Sequence, residues 1–436
     1  MFASLCYNVD RGEWNMKRSE RKIQSATNWQ FILGLLCIVF LVASGILLAE
    51  KINDSVKIKA KPTKTSIVQK KKTSPSPNGV QTARIMANGD LLYHDLLYMS
   101  ALQSDGTYDF TENYQYVKPW LKKADLVLGD FEGTIRPNYP LAGYPLFNAP
   151  ESVVSAIKDA GYQVVDLAHN HILDSQLEGV FSTAKAFEQH GITPIGVYTH
   201  KNRDKTSLVI KKVNGIKIAL LAYSYGFNGL EENLSQADYN HHLSDLNEEK
   251  MKKEIERAKK EADITIVMPQ MGVEYQLEPT QEQKTLYHKM IEWGADIIFG
   301  GHPHVVEPSE VVKQNGQKKF IIYSMGNFIS NQRIETMDGV ENKKWTERGV
   351  LMDVTIEKSK KGTIIKEVQA HPSWVSRVAK GTYSPEGYPL YTYQTYILED
   401  FIEGGKYRNQ LDQATKERID TAYQEMNEHV NLKWDE

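Results

Sequence analysis

The 436-residue chain carries 52 Lys and Arg against 55 Asp and Glu, a formal net charge of -3, and that balance lacks the basic footprint nucleic-acid binding leaves, so nucleic acid is set aside as a partner. The length suits one α/β core of roughly 250–300 residues with appendages. Cys6 and Cys37 are the two cysteines, so the chain beyond residue 37 has none from which to build a disulfide, which fits a reducing compartment or an exported protein that does without them.

Residues 1–28 read as a short cytoplasmic tail. From Phe31 to Ala49 the run FILGLLCIVFLVASGILLA holds no charge; as a helix it would extend about 28 Å, close to the thickness of a hydrocarbon core. One transmembrane anchor over 29–49 is expected, in preference to a cleaved signal peptide. Basic residues flank it on both sides, with Arg11, Lys17, Arg18, Arg21 and Lys22 before it and Lys51, Lys57, Lys59, Lys61 and Lys64 after it. Charge therefore does not settle orientation. A short tail, one anchor and a long following domain imply a single-pass protein of the cell membrane with its bulk extracytoplasmic. Residues 50–83, rich in Lys, Ser, Thr and Pro, read as a solvated tether, whose run Lys70, Lys71, Lys72 could touch anionic lipid or wall polymer.

From Arg84 onward short apolar runs alternate with amphipathic helices, the pattern of a layered α/β domain, expected over 84–375. Strands are predicted at 84–88, 126–129, 164–168, 216–223, 264–269, 296–300 and 320–324. Helices are predicted at 151–160, 177–190, 247–262 and 280–293, three of them stopped by Gly161, Gly191 and Gly294. Asn214-Gly215 signals a type I′ hairpin, and 350–357 with 363–370 form a second hairpin. A polar helix at 411–430 is expected within a peripheral C-terminal helical tail, 376–436.

Potential ligands end nearly every central strand. Asn88-Gly89-Asp90 ends the first, Gly129-Asp130-Phe131-Glu132 the second, and His169-Asn170-His171, with Asp174 beyond, the third. Gln270 and Glu274 follow a later strand, Gly301-His302-Pro303-His304 the next, and Gly326-Asn327 the last. Open α/β sheets bind ligands beyond the carboxyl ends of their strands, so these groups would converge. Imidazole, carboxylate and amide oxygen together suit Mn, Zn or Fe, as one or two divalent ions. Singly each has a plainer explanation: Gly-Asp after a strand is a common turn, and Asn170-His171 can cap a helix. Their joint placement is what points to a shared site.

At these residues the sequence resembles the CapA/PgsA-type poly-γ-glutamate capsule biosynthesis proteins, whose domain is similar to the calcineurin-like metallophosphoesterase fold. The resemblance runs from about Arg84 to Pro372 and rests on GD, GDFE, HNHILD, QMGVE, GGHPH and YSMGNF in order. It implies a metallophosphoesterase-like layered β-sheet domain with flanking helices. It places Asp90, Asn170, His302 and His304 at metal-ligand positions, with Glu132 and Asp130 where a bridging carboxylate belongs. His171 matches the histidine that protonates the leaving group, and Asn327 a lining position. Gln270 and Met271 depart from the family's His and Trp, which removes an expected imidazole ligand, and His94 and His169 are extra histidines nearby. His94 would share a face with Asp90 if a helix began there. Arg333 and Arg348 could hold a substrate carboxylate or phosphate. The resemblance implies a role in assembling, exporting or anchoring an anionic polymer such as poly-γ-glutamate, with membrane synthase subunits and the membrane as partners. A non-catalytic scaffold, or a phosphoesterase acting on nucleotides or wall teichoic polymers, are the alternatives.

Overall fold

The computed structural model describes residues 79–200 and 207–435. The expected anchor, the tail before it and nearly all of the tether lie outside the described residues, and no helix among those described is long and apolar enough to cross a membrane.

Four strands start the first sheet: β1 (Gln81–Leu92), β2 (Leu126–Glu132), β3 (Val164–Asp166) and β4 (Thr193–Ile195), all mutually parallel. Helices α1 (Asp95–Ala101) and α2 (Lys118–Leu121) lie between β1 and β2, α3 (Ser152–Ala160) precedes β3, and α4 (Gln176–Gln189) precedes β4. The chain then builds a second sheet from β5 (Val209–Val213), β6 (Ile216–Ser224), β7 (Ile264–Gln270), β8 (Ile297–Phe299), β9 (Ser309–Gln314) and β10 (Gln317–Ile322), ordered β5-β6-β7-β8-β10-β9. Its inner strands are parallel and its two edges antiparallel. Helices α5 (Gln236–His242), α6 (Glu248–Glu261) and α7 (Gln281–Trp293) connect them. Finally β11 (Asn327–Ile329) returns to pair with β1, and β12 (Arg348–Ser359), β13 (Gly362–Tyr383) and β14 (Pro389–Ile397) extend the first sheet antiparallel, before α8 (Gln413–Val430).

Side-chain alternation explains the layering. In β1, Ile85 and Ala87 enter a core shared by both sheets while Met86 faces the opposite way, into a core with α3 and α4. In β6, Ile218 and Leu220 enter the shared core, whereas Ala219 and Leu221 meet Met251 and Ile255 of α6. Strands buried on both faces read as continuous apolar runs, which is why IALLAY and ITIVM show no alternation. The helix stops behave as expected, with Gly161 at φ 119° and Gly191 at φ 68°. Asn214 and Gly215, at φ 49° and 90°, form the two-residue turn between β5 and β6.

Two expectations need correction. The boundary at residue 375 falls inside β13, and residues 376–397 form sheet rather than helical tail. These strands mix Tyr, Thr, Gln and Arg with few aliphatics because one face is half-exposed, so their apolar signal is weak. The end of the chain is also not peripheral. Helix α8 buries Ile419, Ala422, Met426 and Val430, and Met426, Val430 and Trp434 lie in the core between the sheets, with Leu432 partly buried against it. Burying each contributes about 1.5–3 kcal/mol, enough to dock a helix whose remaining surface is polar.

Candidate metal centre

Strand parity builds the floor of the site. Strand β2 runs three residues further than its apolar stretch, so Asp130 and Glu132 share the face of Leu126 and Leu128, toward the second sheet, while Val127 and Phe131 face the helices. A register shift after Ala87 sets Asp90 beside Asp130, and Asp130 in turn lies beside Asp166 of β3. On its other side Asp90 pairs with Asn327 of β11. Glycine permits the close approach: a Cβ on Gly89 would sit 1.9 Å from the Gly326 carbonyl oxygen, which accepts the Asp90 N–H at 3.0 Å.

The second sheet supplies the roof. Gln270 ends β7 and bridges to Gly301. After it, His302 and His304 adopt φ 96° and 58°, a left-handed region that non-glycine residues rarely enter. Such conformations cost of order 1–3 kcal/mol each and persist where the surroundings fix them. Here Gly301 N–H donates to the Pro269 carbonyl at 3.0 Å and Tyr275 N–H to the Pro303 carbonyl at 2.8 Å, pinning the loop on both sides. The strain turns His304 onto the floor: its Nδ1 lies 2.8 Å from Asp90 Oδ2 and 3.7 Å from Glu132 Oε2.

One oxygen or nitrogen from each of Asp90, Glu132 and His304 lies within 4.8 Å of the other two, and all three residues are buried. Burial pushes the Asp130 and Glu132 carboxyls well above the usual carboxylate range, and Asp90 nearby adds to it. For His304 burial disfavours the charged ring, but Glu132 and Asp90 outweigh it and hold the imidazole up at about 10. Burial, with His304 close by, lowers His302 to about 3, leaving a neutral ring.

His171 is positioned separately. Its Nδ1 lies 2.7 Å from Asp174 Oδ2, which also accepts the Phe147 N–H at 2.6 Å, and its Nε2 lies 4.0 Å from Glu132 Oε1. An imidazole braced at one nitrogen and aimed at the site with the other is the arrangement a proton donor requires. Gln270 accepts the Asn170 N–H at 3.2 Å and donates to Asp130 Oδ2 at 3.3 Å. Asn170 donates its side-chain amide to Asn228 at 3.2 Å, while Asn327 donates to Gln332 and the Thr346 carbonyl at 2.9 and 2.8 Å.

The structure thus brings Asp90, Asp130, Glu132, Asn170, His171, Gln270, His302, His304 and Asn327 together. Glu274 is exposed, yet its charge is felt at Glu132 and His304. His94 stands just before α1, at the N-cap position but without a capping side-chain hydrogen bond, so the helical pairing with Asp90 does not hold. Its ring meets Phe147 edge-on at 5.2 Å and its Nδ1 accepts the Asn331 N–H at 3.3 Å. His169 turns to Gly133, accepting that N–H at 3.4 Å. Neither expected substrate arginine faces the carboxylates. Arg333 pairs with Glu335 and donates to the Val375 carbonyl, and Arg348 pairs with Glu425 of α8 over the Trp345 ring. Sequence reasoning passed over Asp166, although a carboxylate closing the apolar run Val164-Val165 carries the same parity as Asp130. It also passed over Tyr225 and Tyr275, whose rings lie 4.5 Å from His302 and 6.0 Å from His304.

Residues 84–332 match the model of a family described as bacterial capsule synthesis protein PGA_cap. The chain belongs to that family. Among curated relatives, a capsule biosynthesis protein CapA of Bacillus anthracis is 33% identical over 228 residues, covering 50% of this chain and 54% of the relative. A PGA biosynthesis protein CapA of Bacillus subtilis strain 168 is 34% identical over 228 residues, covering 50% and 57%. The chain therefore spans little more than half the length of the curated relatives it matches. Of solved structures, a phosphatase of Mycoplasma pneumoniae aligns at TM-score 0.41 and 13% identity, covering 67% of this chain and 94% of that one. A calcineurin-like phosphoesterase of Bacillus subtilis aligns at TM-score 0.41 and 15% identity, covering 67% and 90%.

The donor set of this PGA_cap member fits a cation. Asp90 Oδ1, Asp130 Oδ1, both Glu132 oxygens, Asn170 Oδ1, Asn327 Oδ1 and His302 Nδ1 are buried with no hydrogen-bond partner in the protein. A buried acceptor left so costs about 1–3 kcal/mol, more if charged, and proteins rarely gather several in one place unless something satisfies them. Gly301 keeps the cradle open, since a Cβ there would lie 3.1 Å from Asp130 Oδ2 and 3.6 Å from Asp90 Oδ1.

Proposed function

We propose that this chain is a membrane-anchored protein of capsule-polymer (poly-γ-glutamate) biosynthesis or export, whose extracytoplasmic α/β domain holds a divalent ion and hydrolyses a phosphoester or amide. The observation that carries it is the convergence of unpartnered buried carboxylate, amide and imidazole atoms in a member of the PGA_cap family. The names of the two CapA relatives support the capsule role, and the uncharged run Phe31–Ala49 with the polar tether after it supports the anchor.

An ion of the Mn, Zn or Fe type supplies Lewis-acid polarisation of a phosphoryl or carbonyl oxygen. Asp90, Glu132 and His304 would hold it, with Asp130, Asn170 and His302 at hand. His171 carries the proton to the leaving group from Nε2 while Asp174 fixes the ring through Nδ1. Tyr225 and Tyr275 screen the two metal-side imidazoles. The anionic polymer, membrane synthase subunits and the membrane itself are the partners this role requires.

The test replaces the chain in its host with a His302→Ala/His304→Ala double variant and measures envelope polymer, alongside turnover of an aryl phosphodiester by the purified protein with and without manganese. Loss of polymer and of turnover in a folded variant supports the hydrolytic centre. Unchanged polymer from a folded, metal-free variant sinks it. In that event the domain is a scaffold for the polymer or the synthase, a role favoured by Gln270, whose neutral amide occupies the centre beside Asp130.

A further inference from the structure

We infer that the site holds one metal ion, at Asp90, Glu132 and His304, and that the side chain of Gln270 keeps a second ion from binding beside Asp130. This rests on the metal centre proposed above, and it fixes how many ions the centre takes.

Two facts about Gln270 set its role. The amide cannot be turned over, because its oxygen faces a backbone N–H, that of Asn170 at 3.2 Å. The other end of the amide is therefore the NH2 group, and it donates to Asp130 Oδ2 at 3.3 Å. Gln270 is fully buried, so neither contact is open to exchange with solvent. A cation beside Asp130 needs a lone pair from the residue closing that side, and the amide presents hydrogens instead. The bound proton donor also takes one of the two oxygens Asp130 would offer, leaving Oδ1 unpartnered.

The remaining donors agree. Among the described residues, Asp90, Glu132 and His304 are the group of three Asp, Glu, His or Cys residues whose ligand atoms lie within 4.8 Å of one another. A two-ion clamp places its ions about 3.5–4 Å apart and needs a second full set of donors at that spacing. Asp130, Asn170 and His302 are present on that side, but Gln270 occupies Asp130 Oδ2 and supplies no anionic or imidazole atom of its own. One side chain thus separates a one-ion centre from a two-ion centre.

The experiment is native mass spectrometry of the full chain in detergent, with equilibrium dialysis against Mn²⁺ or Zn²⁺ as a second measure of stoichiometry. The wild type is expected to bind one ion tightly, and His304→Ala to lose it. Gln270→His is expected to bind two. Gln270→Glu has nearly the same shape but replaces the NH2 by oxygen, so it should also gain the second ion, and it guards against misfolding of the histidine variant. Two tightly bound ions in the wild type overturn the inference. One ion in the wild type and one in both folded Gln270 variants overturns the assignment to Gln270. No bound ion in a folded wild type overturns the metal centre itself, a separate outcome from the other two.

Discussion

Replacing His304 with alanine removes one of the three donors that lie within 4.8 Å of one another, and the effect can be sized as a thermal shift. A ligand that binds only the folded state stabilises it by about 2.7 kcal/mol when present at a hundredfold excess over Kd. For a folded unit of about 360 residues the unfolding entropy is about 0.75 kcal/mol per degree. Manganese at that excess should therefore raise the wild-type Tm by about 3–4 °C. Loss of the imidazole weakens the ion by at least roughly tenfold, and at the same concentration the stabilisation falls to about 1.4 kcal/mol, or about 2 °C; a hundredfold loss leaves about 0.5 °C. The metal-free variant should itself melt below the metal-free wild type, because the ring that faces Asp90 and Glu132 is gone. Calorimetry of chelator-treated protein, before and after a manganese titration, measures both quantities. Equal metal-induced shifts in wild type and variant would refute the assignment of His304 as a ligand.

Four further outcomes follow from the geometry. Gly301→Ala should lower metal affinity at least about tenfold with little change in the metal-free fold, since its methyl enters the cradle beside Asp130 and Asp90; isothermal titration reads this. His171→Ala should reduce turnover of an aryl phosphodiester by about 10²–10⁴-fold without changing metal content, which stopped assays paired with elemental analysis would show. Met426→Ala should cost about 2–5 kcal/mol in urea unfolding, because the side chain fills the core between the sheets; a cost below 1 kcal/mol would mean that α8 is dispensable. His371 provides a pH test: burial opposes its charge, but Asp353 and Glu399 prevail and hold it up at about 9. Its contribution is complete below the unfolded value of about 6.5 and is lost as pH rises through about 9. His371→Gln should therefore flatten the fall in stability between those pH values.

Much of the site was legible because its residues follow apolar runs. A strand that stops being apolar at its carboxyl end announces a ligand, as with Asp90, Asp130 and the histidines after β8. The fold was legible where helices end in glycine or a turn needs Asn-Gly, since those positions demand a left-handed backbone. The later part of β13, from residue 376, and β14 were not, because their exposed face dilutes the alternation that marks a strand. The direction of Gln270 was equally hidden: a glutamine offers either a lone pair or a proton, and only the Asn170 backbone decides which reaches Asp130. Arg333 and Arg348 misled because a guanidinium near a site motif reads as a ligand clamp, whereas nearby glutamates had claimed both. Strain at His302 and His304 carries no sequence signature beyond the intervening proline.

The position of Met426, Val430 and Trp434 between the sheets bears on how the chain comes to be folded. Sheet strands from β1 onward are made long before these residues, yet the layer joining the sheets stays open on one side until residue 434 is available. The core between the sheets is thereby closed by contacts that span most of the domain, from Ala83 in β1 to Trp434. A chain cut short in β13 would expose an apolar seam and be a target for proteolysis or chaperone capture, and α8 with Trp434 is what covers that seam.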